Sequence, residues 1–222
     1  MRLFYLFFFM FHLAFGQSSQ TLEPVLEKLK TVKDYSASAE ISADIPMIKI
    51  LPSKAMIYFK QKDKFKVKSK GIVIIPKQGL TDLNQFLANK SNYITIDGNI
   101  ESINGISSRL ITVIPNGTEQ EIILVKLWID EKRGVFTKTQ MTTRSNGTVT
   151  TNFTYGSMAK YGLPNKMIFK IDVKKFKIPK SMSSDLHKTK NKKSGDKRKN
   201  GTITIKLSNY KVNSGLSDTL FN

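Results

Sequence analysis

The 222-residue sequence predicts a mainly β protein with a few helices, built on one large antiparallel sheet or a barrel. Three observations predict it. Apolar and polar residues alternate almost without error from Tyr35 to Ile45. Short apolar runs are separated again and again by dipeptides that favour positive φ: Asp97-Gly98, Asn104-Gly105, Asn116-Gly117, Asn146-Gly147 and Asn200-Gly201. Helical spacing of apolar residues occurs only over two brief stretches.

The chain opens on what reads as an export leader. Arg2 supplies a positive start, Leu3 to Phe15 is an apolar run broken by His12, and Ala14-Phe15-Gly16 is a small-x-small cleavage site. Residues 1–16 are therefore expected to be removed, leaving Gln17 first. The run is shorter than the ~20 residues a bilayer span needs. A helix is expected over Thr21–Lys33, with Thr21 as cap, Pro24 in the first turn, and Leu22, Val25, Leu26, Leu29 and Val32 on one stripe.

The alternating strand follows, with Ala37, Ala39, Ile41, Ala43 and Ile45 on one face and Ser36, Ser38, Glu40, Ser42 and Asp44 on the other. Pro46 to Pro52 is expected to be a broad apolar connection. A second strand is expected over Lys54–Lys60, a turn at Lys62-Asp63, and a third strand over Lys64–Lys68 with Phe65 and Val67 inward. A second helix covers Gly79–Ala88. Strands are then expected over Tyr93–Ile96, Ile106–Ile114, Glu121–Ile129, Val135–Thr143, Thr148–Tyr155, Lys166–Val173 and Thr202–Lys211, with a break at Gly162-Leu163-Pro164-Asn165. One face of most of these strands is apolar: Ile123, Val125, Leu127 and Ile129; Val149, Thr151, Phe153 and Tyr155; Met167, Phe169, Ile171 and Val173; Ile203, Ile205 and Leu207. Two short helices cannot cover such a sheet, so it must either roll up on itself or leave a cavity.

Composition narrows the function. The net charge of +19 favours anionic partners or surfaces. Much of it lies in Lys174–Asn200, which has almost nothing apolar and is expected to form a flexible basic insertion at about 179–200. With no cysteine there is no disulfide, thiolate metal site or thiol nucleophile. The two histidines fall in the leader and in the basic segment, as His12 and His187, so a nucleophile–base pair is hard to build. Glu119 and Glu121 share a strand face but read as solvent-facing. No catalytic residue, metal or cofactor is expected. The basic segment lacks interleaved aromatics, which argues against nucleic acid. Asn89, Asn116, Asn146, Asn152 and Asn200 each begin a glycosylation sequon, making a secreted glycoprotein the alternative to a bacterial periplasmic protein.

The order of parts resembles the LolA-type outer-membrane lipoprotein carriers, whose superfamily includes RseB-like sensors. The resemblance covers the mature chain, 17–222, as one LolA-like lipid-binding domain. It rests on the leading helix, the alternating strand with its Pro-rich connection, and the run Tyr58-Phe59-Lys60-Gln61-Lys62-Asp63-Lys64-Phe65. Leu127-Trp128-Ile129-Asp130 before a hairpin, Tyr161-Gly162-Leu163-Pro164 before a strand, and Asn209-Tyr210 near the last strand's end add to it. The resemblance implies a half-open antiparallel β-barrel with helices as a lid over an apolar cavity. It implies a monomeric periplasmic carrier that takes acylated lipoprotein or lipid from an inner-membrane donor to an outer-membrane acceptor. A non-transporting sensor or regulatory binding module of the same fold is the alternative. An Arg-Pro pair follows the second strand in the carriers, and that arginine helps to hold the lid; the matching positions here are Gln61 and Lys62.

An acyl chain gains about 0.8 kcal/mol per buried CH₂, so a carrier needs a continuous apolar surface. The residues expected to supply it are Ile41, Ile57, Phe59, Phe65, Val67, Val125, Leu127, Ile129, Phe153, Phe169 and Ile171. Lys188, Lys190, Lys192, Lys193, Lys197, Arg198 and Lys199 are expected to contact an anionic surface, such as a membrane face.

Overall fold

A computed structural model describes residues 19–46, 48–62, 64–76, 81–117, 119–172 and 200–221, with the backbone alone for 48–50. The export leader and the basic run Lys188–Lys199 lie outside the described residues. Helix α1 spans Leu22–Lys30, followed by β1 (Asp34–Ile45), β2 (Ile48–Lys60) and β3 (Lys64–Ser69). Helix α2 spans Asp82–Ala88. The remaining strands are β4 (Tyr93–Ile103), β5 (Ile106–Pro115), β6 (Ile122–Asp130), β7 (Val135–Thr143), β8 (Gly147–Thr154), β9 (Lys166–Asp172) and β10 (Asn200–Val212).

All ten strands form one curved, unclosed sheet in the order β3-β2-β1-β10-β9-β8-β7-β6-β5-β4. Every neighbouring pair is antiparallel, and all but β1–β10 are consecutive among the strands. The last strand thus returns to the first, leaving β3 and β4 as edges. Asn104 and Gly105, at φ 51° and 80°, make the tight β4–β5 hairpin that their sequence suggests.

Three connections differ from expectation, each for a reason in the backbone. Pro46 to Pro52 is no broad connection, because β2 already begins at Ile48. Ile41 pairs with Ser53 but Ala43 pairs with Ile50, so a bulge takes up the extra residue around Leu51-Pro52. A bulge is where a strand tolerates a residue without an N–H. Asp97-Gly98 is not a turn either. Asp97 pairs with Ile111 and Ile100 with Arg109, so β4 continues through a second bulge. A Cβ on Gly98 would stand 3.1 Å from the Leu110 carbonyl oxygen, so glycine serves close approach there. Asn200 and Gly201 lie within β10, paired with Asp172 and Ile171.

A bulge between Ile122 and Leu124 also overturns one face assignment. It turns Ile123 outward, about half exposed, while Ile122 packs inward with Val125 and Leu127. Helix α1 stops at Lys30. Thr21 precedes it, but its hydroxyl donates to Glu131 Oε1 at 3.0 Å, and the Ser19 carbonyl receives the Leu22 and Glu23 amides instead.

The inner face of the sheet carries two hydrophobic clusters. In one, α1 (Leu22, Val25, Leu26) and α2 (Leu83, Phe86, Leu87) cover Ile111, Val113, Val125, Leu127, Ile129 and Met141 of β5–β7. In the other, β1, β2, β8, β9 and β10 curl around Ala37, Ile41, Ile57, Phe169, Ile171, Ile203 and Ile205. That half has no helix over it among the described residues. The extended segment after β3 lies against it, with Ile74 buried and Val73 and Ile75 half-buried. Phe153 touches both clusters and marks the seam.

Candidate functional site

At the seam the sheet leaves a cavity of about 110 Å³. Its walls come from both halves: Tyr35, Phe59, Phe65, Met167, Leu207 and Tyr210 from the strand half, and Leu29, Leu83 and Phe136 from the helix-covered half, with Phe153 between them. The lining is mostly apolar and strongly aromatic, with Thr81 and Asn84 as its polar members apart from the tyrosines. Tyr35 stacks on Phe59 with ring centres 5.3 Å apart and meets Tyr210 at 5.6 Å. Ring pairs at these distances add to the gain from burial alone and fix side-chain orientation. Alternation explains why these residues converge. Tyr35 and Phe59 are cross-strand partners on β1 and β2, as are Phe59 and Phe65 on β2 and β3.

Three phenols belong to this wall. Tyr210 donates to the Pro164 carbonyl at 2.6 Å, using the loop before β9 as its acceptor. Burial pushes the Tyr35 phenol up to about 12 and the Tyr155 phenol higher still, against the pull of nearby Arg133. The Tyr210 phenol is raised by burial and then by the neighbouring Tyr35 and Tyr155. All three stay neutral at physiological pH, so the wall carries hydroxyl groups and no charge.

Helix α1 closes one side and is fastened by polar bonds around its rim. The Gln61 side-chain amide donates to the carbonyls of Lys30 (2.8 Å) and Val32 (3.1 Å), and its backbone N–H donates to Lys33 (2.8 Å). These carbonyls belong to the end of α1 and the segment after it, where acceptors lack intrahelical partners. Gln61 therefore makes side-chain bonds at the position where the resemblance expects an arginine. Lys28 donates to the Arg133 carbonyl, Glu23 pairs with Lys90 at 2.5 Å, and Thr21 reaches Glu131. Glu131 in turn pairs with Arg109 at 2.7 Å, which holds its carboxyl below the usual range. Asp130 anchors the same turn. Burial would raise its carboxyl, but the bonds from the Arg133 side chain and backbone outweigh that and lower it.

Beneath α1, Gly162 has φ 70° and ends a short 3-10 helix over Ser157–Tyr161. A Cβ there would stand 3.0 Å from Leu29 Cδ2, so this glycine meets both a backbone and a packing demand.

Of the residues that the sequence nominates, Phe59, Phe65 and Phe153 border the cavity. Ile41, Ile57, Phe169 and Ile171 are buried in the strand-half cluster, and Val67 is half-buried against it. Val125, Leu127 and Ile129 are buried under the helices. Alternation reports which residues face inward; it does not report which inward residues a helix has already covered. Tyr35, Tyr155, Tyr210, Leu163 and Met167 are lining residues that the nomination omits. The aromatic repeat at strand ends is the signal that could have found the three tyrosines. Among the described residues no group of three or more His, Asp or Glu side chains is placed to hold a metal ion.

Solved structures share the shape of this chain, and three of them illustrate the likeness. A DUF1329 family protein from Desulfovibrio piger matches over 91% of this chain and 95% of its own, with a TM-score of 0.56 and 12% identity. A LolA superfamily protein from Nitrosomonas europaea matches over 92% and 98%, with a TM-score of 0.56 and 13% identity. The fold is LolA-like. An outer membrane lipoprotein-sorting protein domain from Vibrio parahaemolyticus shares the LolA-like fold, over 90% of this chain and 95% of its own, with a TM-score of 0.50 and 13% identity. No protein-family model and no curated protein matches the sequence. At such identities the LolA-like likeness concerns backbone architecture, and the chemistry of the cavity has to be read from this chain's own residues.

Proposed function

We propose that this protein binds an acyl chain, carried by a lipid or a lipid-modified protein, in the cavity between the two halves of its sheet. Its place of work in this reading is the bacterial cell envelope, and its role is that of a carrier. The observation that carries the proposal is the seam: an aromatic cavity in an unclosed sheet, beside a helix that lays an apolar stripe on the sheet and is tied at its rim by polar bonds. Polar bonds at a solvent-exposed rim can be exchanged for bonds to water at a net cost of only about 0.5–1.5 kcal/mol each. A gain of about 0.8 kcal/mol per buried CH₂ offsets several of them, and the acyl methylenes take the place of the apolar contacts that Leu22, Val25 and Leu26 give up.

The closed cavity is smaller than the roughly 150 Å³ that admits benzene in an engineered core, so it takes one end of a chain. The remainder of the chain then requires α1 and α2 to lift from β5–β7, uncovering Val125, Leu127 and Ile129 as the continuation of the binding face. The rim bonds of Gln61, Lys28 and Thr21 are those that would break first. The outer-membrane destination and an inner-membrane donor belong to this reading, which the LolA-like fold supports and with which the leader expected at 1–16 agrees.

A fluorescent fatty-acyl probe tests the proposal. Saturable binding is expected for the parent. Phe153→Trp, which enlarges the side chain at the seam, is expected to weaken the probe at least tenfold. Thermal melting monitored in parallel identifies a variant that fails to fold, in which case Phe153→Tyr, which only adds a hydroxyl, replaces it. A parent that takes up no probe refutes the acyl-binding reading.

A further inference from the structure

The most exposed of the large apolar side chains among the described residues lies far along β2 from the cavity. Leu51, in the β2 bulge, is 71% exposed, and Ile72, just beyond β3, is 51% exposed. The two belong to one structure. Ser53 Oγ lies 3.3 Å from the Leu51 carbonyl oxygen and 3.2 Å from that of Ile72, so one hydroxyl braces both backbones. The Ser69 hydroxyl donates to the Lys54 carbonyl at 2.9 Å and accepts the Gly71 amide at 3.2 Å. Gly71 approaches Ser53 so closely that a Cβ would stand 3.0 Å from Ser53 Oγ. The tip is thus a braced knuckle that presents two large apolar side chains and the exposed Pro52 outward.

Lysines stand next to it along both strands. Lys54, Lys68 and Lys70 are all exposed, and they line an open groove of about 600 Å³ on the sheet beside the tip. Glu40 is the one acid among the described residues of that lining. Apolar side chains held out into water among cations suit a surface that offers hydrocarbon beneath negative charge. A protein partner would have to supply both an apolar socket and acids around it; an anionic bilayer supplies both at every point.

We propose that the Leu51–Ile72 tip is a docking surface for an anionic lipid bilayer. Leu51 and Ile72 enter the headgroup–acyl boundary, and Lys54, Lys68 and Lys70 lie against the headgroup charge. The bulge at Leu51-Pro52 has a use in this arrangement: it turns Leu51 outward in a strand where Ala55 and Ile57 point into the core. The tip stands apart from the cavity, so this docking does not depend on the acyl-binding reading.

The protein, purified after export, is mixed with vesicles of phosphatidylcholine alone or with added phosphatidylglycerol, and sedimented. The parent is expected to sediment with the anionic vesicles at low salt and not with the neutral ones. Replacing Lys54, Lys68 and Lys70 by Gln is expected to lower the partition coefficient about fivefold per lysine. Leu51→Ser with Ile72→Ser leaves the charge intact and is expected to lower it about tenfold. These residues are exposed, so melting temperatures are expected to stay put. In a Leu51→Trp variant, the emission of the introduced indole is expected to shift to the blue on anionic vesicles and to be quenched by brominated acyl chains. The proposal is overturned if the serine pair sediments as the parent does, which would assign the binding to charge alone, including the run Lys188–Lys199. It is equally overturned if the parent binds neither vesicle, or if anionic vesicles leave the emission of the Leu51→Trp variant unmoved.

Discussion

The two halves of the sheet solve the same problem differently. In β4–β7 the apolar face is covered by separate elements, α1 and α2, attached by side chains. In β1, β2 and β8–β10 the face is covered by the sheet's own curl and an extended segment around Ile74. Curling packs strands that are already hydrogen-bonded to one another, so no strand of that half moves without breaking ladders. A helix laid on a sheet keeps its backbone ladder within itself, apart from the groups at its ends, and can leave as a unit. The comparison assigns rigidity to one wall of the cavity and movement to the other.

The strongest way to break the comparison is to hollow out each half. Phe169 is fully buried between β8 and β10, and Phe169→Ala is expected to cost about 3–5 kcal/mol in urea unfolding. Leu26→Ala, under α1, is expected to fall near ~2 kcal/mol, the low end for such changes, because the helix can settle into the space. Equal costs would show that α1 is held as firmly as a strand.

A smaller effect is expected at the fastening. Gln61→Ala removes two side-chain hydrogen bonds to the end of α1, at an expected cost of about 1–2 kcal/mol. Amide hydrogen exchange sharpens the comparison. Amides of α1 are expected to exchange faster in this variant while those of β9 and β10 do not change. A uniform increase across the chain would mean that the halves open together.

The smallest effect belongs to the carboxy-terminal segment on the strand half. Asp218 pairs with Lys60 at 2.7 Å and with Lys64 at 3.0 Å, and these bonds lower its carboxyl from 3.8 to about 2. A carboxyl lowered in the folded state contributes stability that is fully present above its unfolded value and is lost as pH falls through its folded one. The contribution is therefore expected to fade between about pH 4 and pH 2. Because Asp218 is exposed, the change in melting temperature will be slight. Asp218→Asn is expected to remove that slope, and an unchanged acid melt in the variant would assign it to other groups.

Much of the sheet was legible from alternation and turn chemistry. The run Ala37 to Ile45 points inward as its pattern requires, and Asn104-Gly105 turns where it should. What alternation could not show was the bulges. At Leu51-Pro52, Asp97–Ile100 and Ile122–Leu124 one extra residue enters a strand, and local sequence signals a bulge no more loudly than a turn. The cavity was legible only in part because it depends on three-dimensional coverage. Leu127 and Phe153 share the same period, yet one lies beneath a helix and the other at the gap beside it. Gln61 was legible as a departure from a resembling pattern, while its bonds to Lys30 and Val32 needed the fold to bring a turn beside a helix end.

A sheet left open has a further consequence at its margins. Strands β3 and β4 each end the ladder with a row of backbone groups that another chain could pair with, the usual route to stacked aggregates. The two margins deter this in different ways. On β3, Lys64, Lys66 and Lys68 place a cation at every second residue, so a second copy meets like charge. On β4 there is no lysine or arginine, but the bulge at Asp97–Ile100 breaks the regular row that a docking strand would need. A closed barrel would need neither device. A protein whose sheet stays open must carry its own protection against joining its neighbours, and here charge guards one border and irregularity the other.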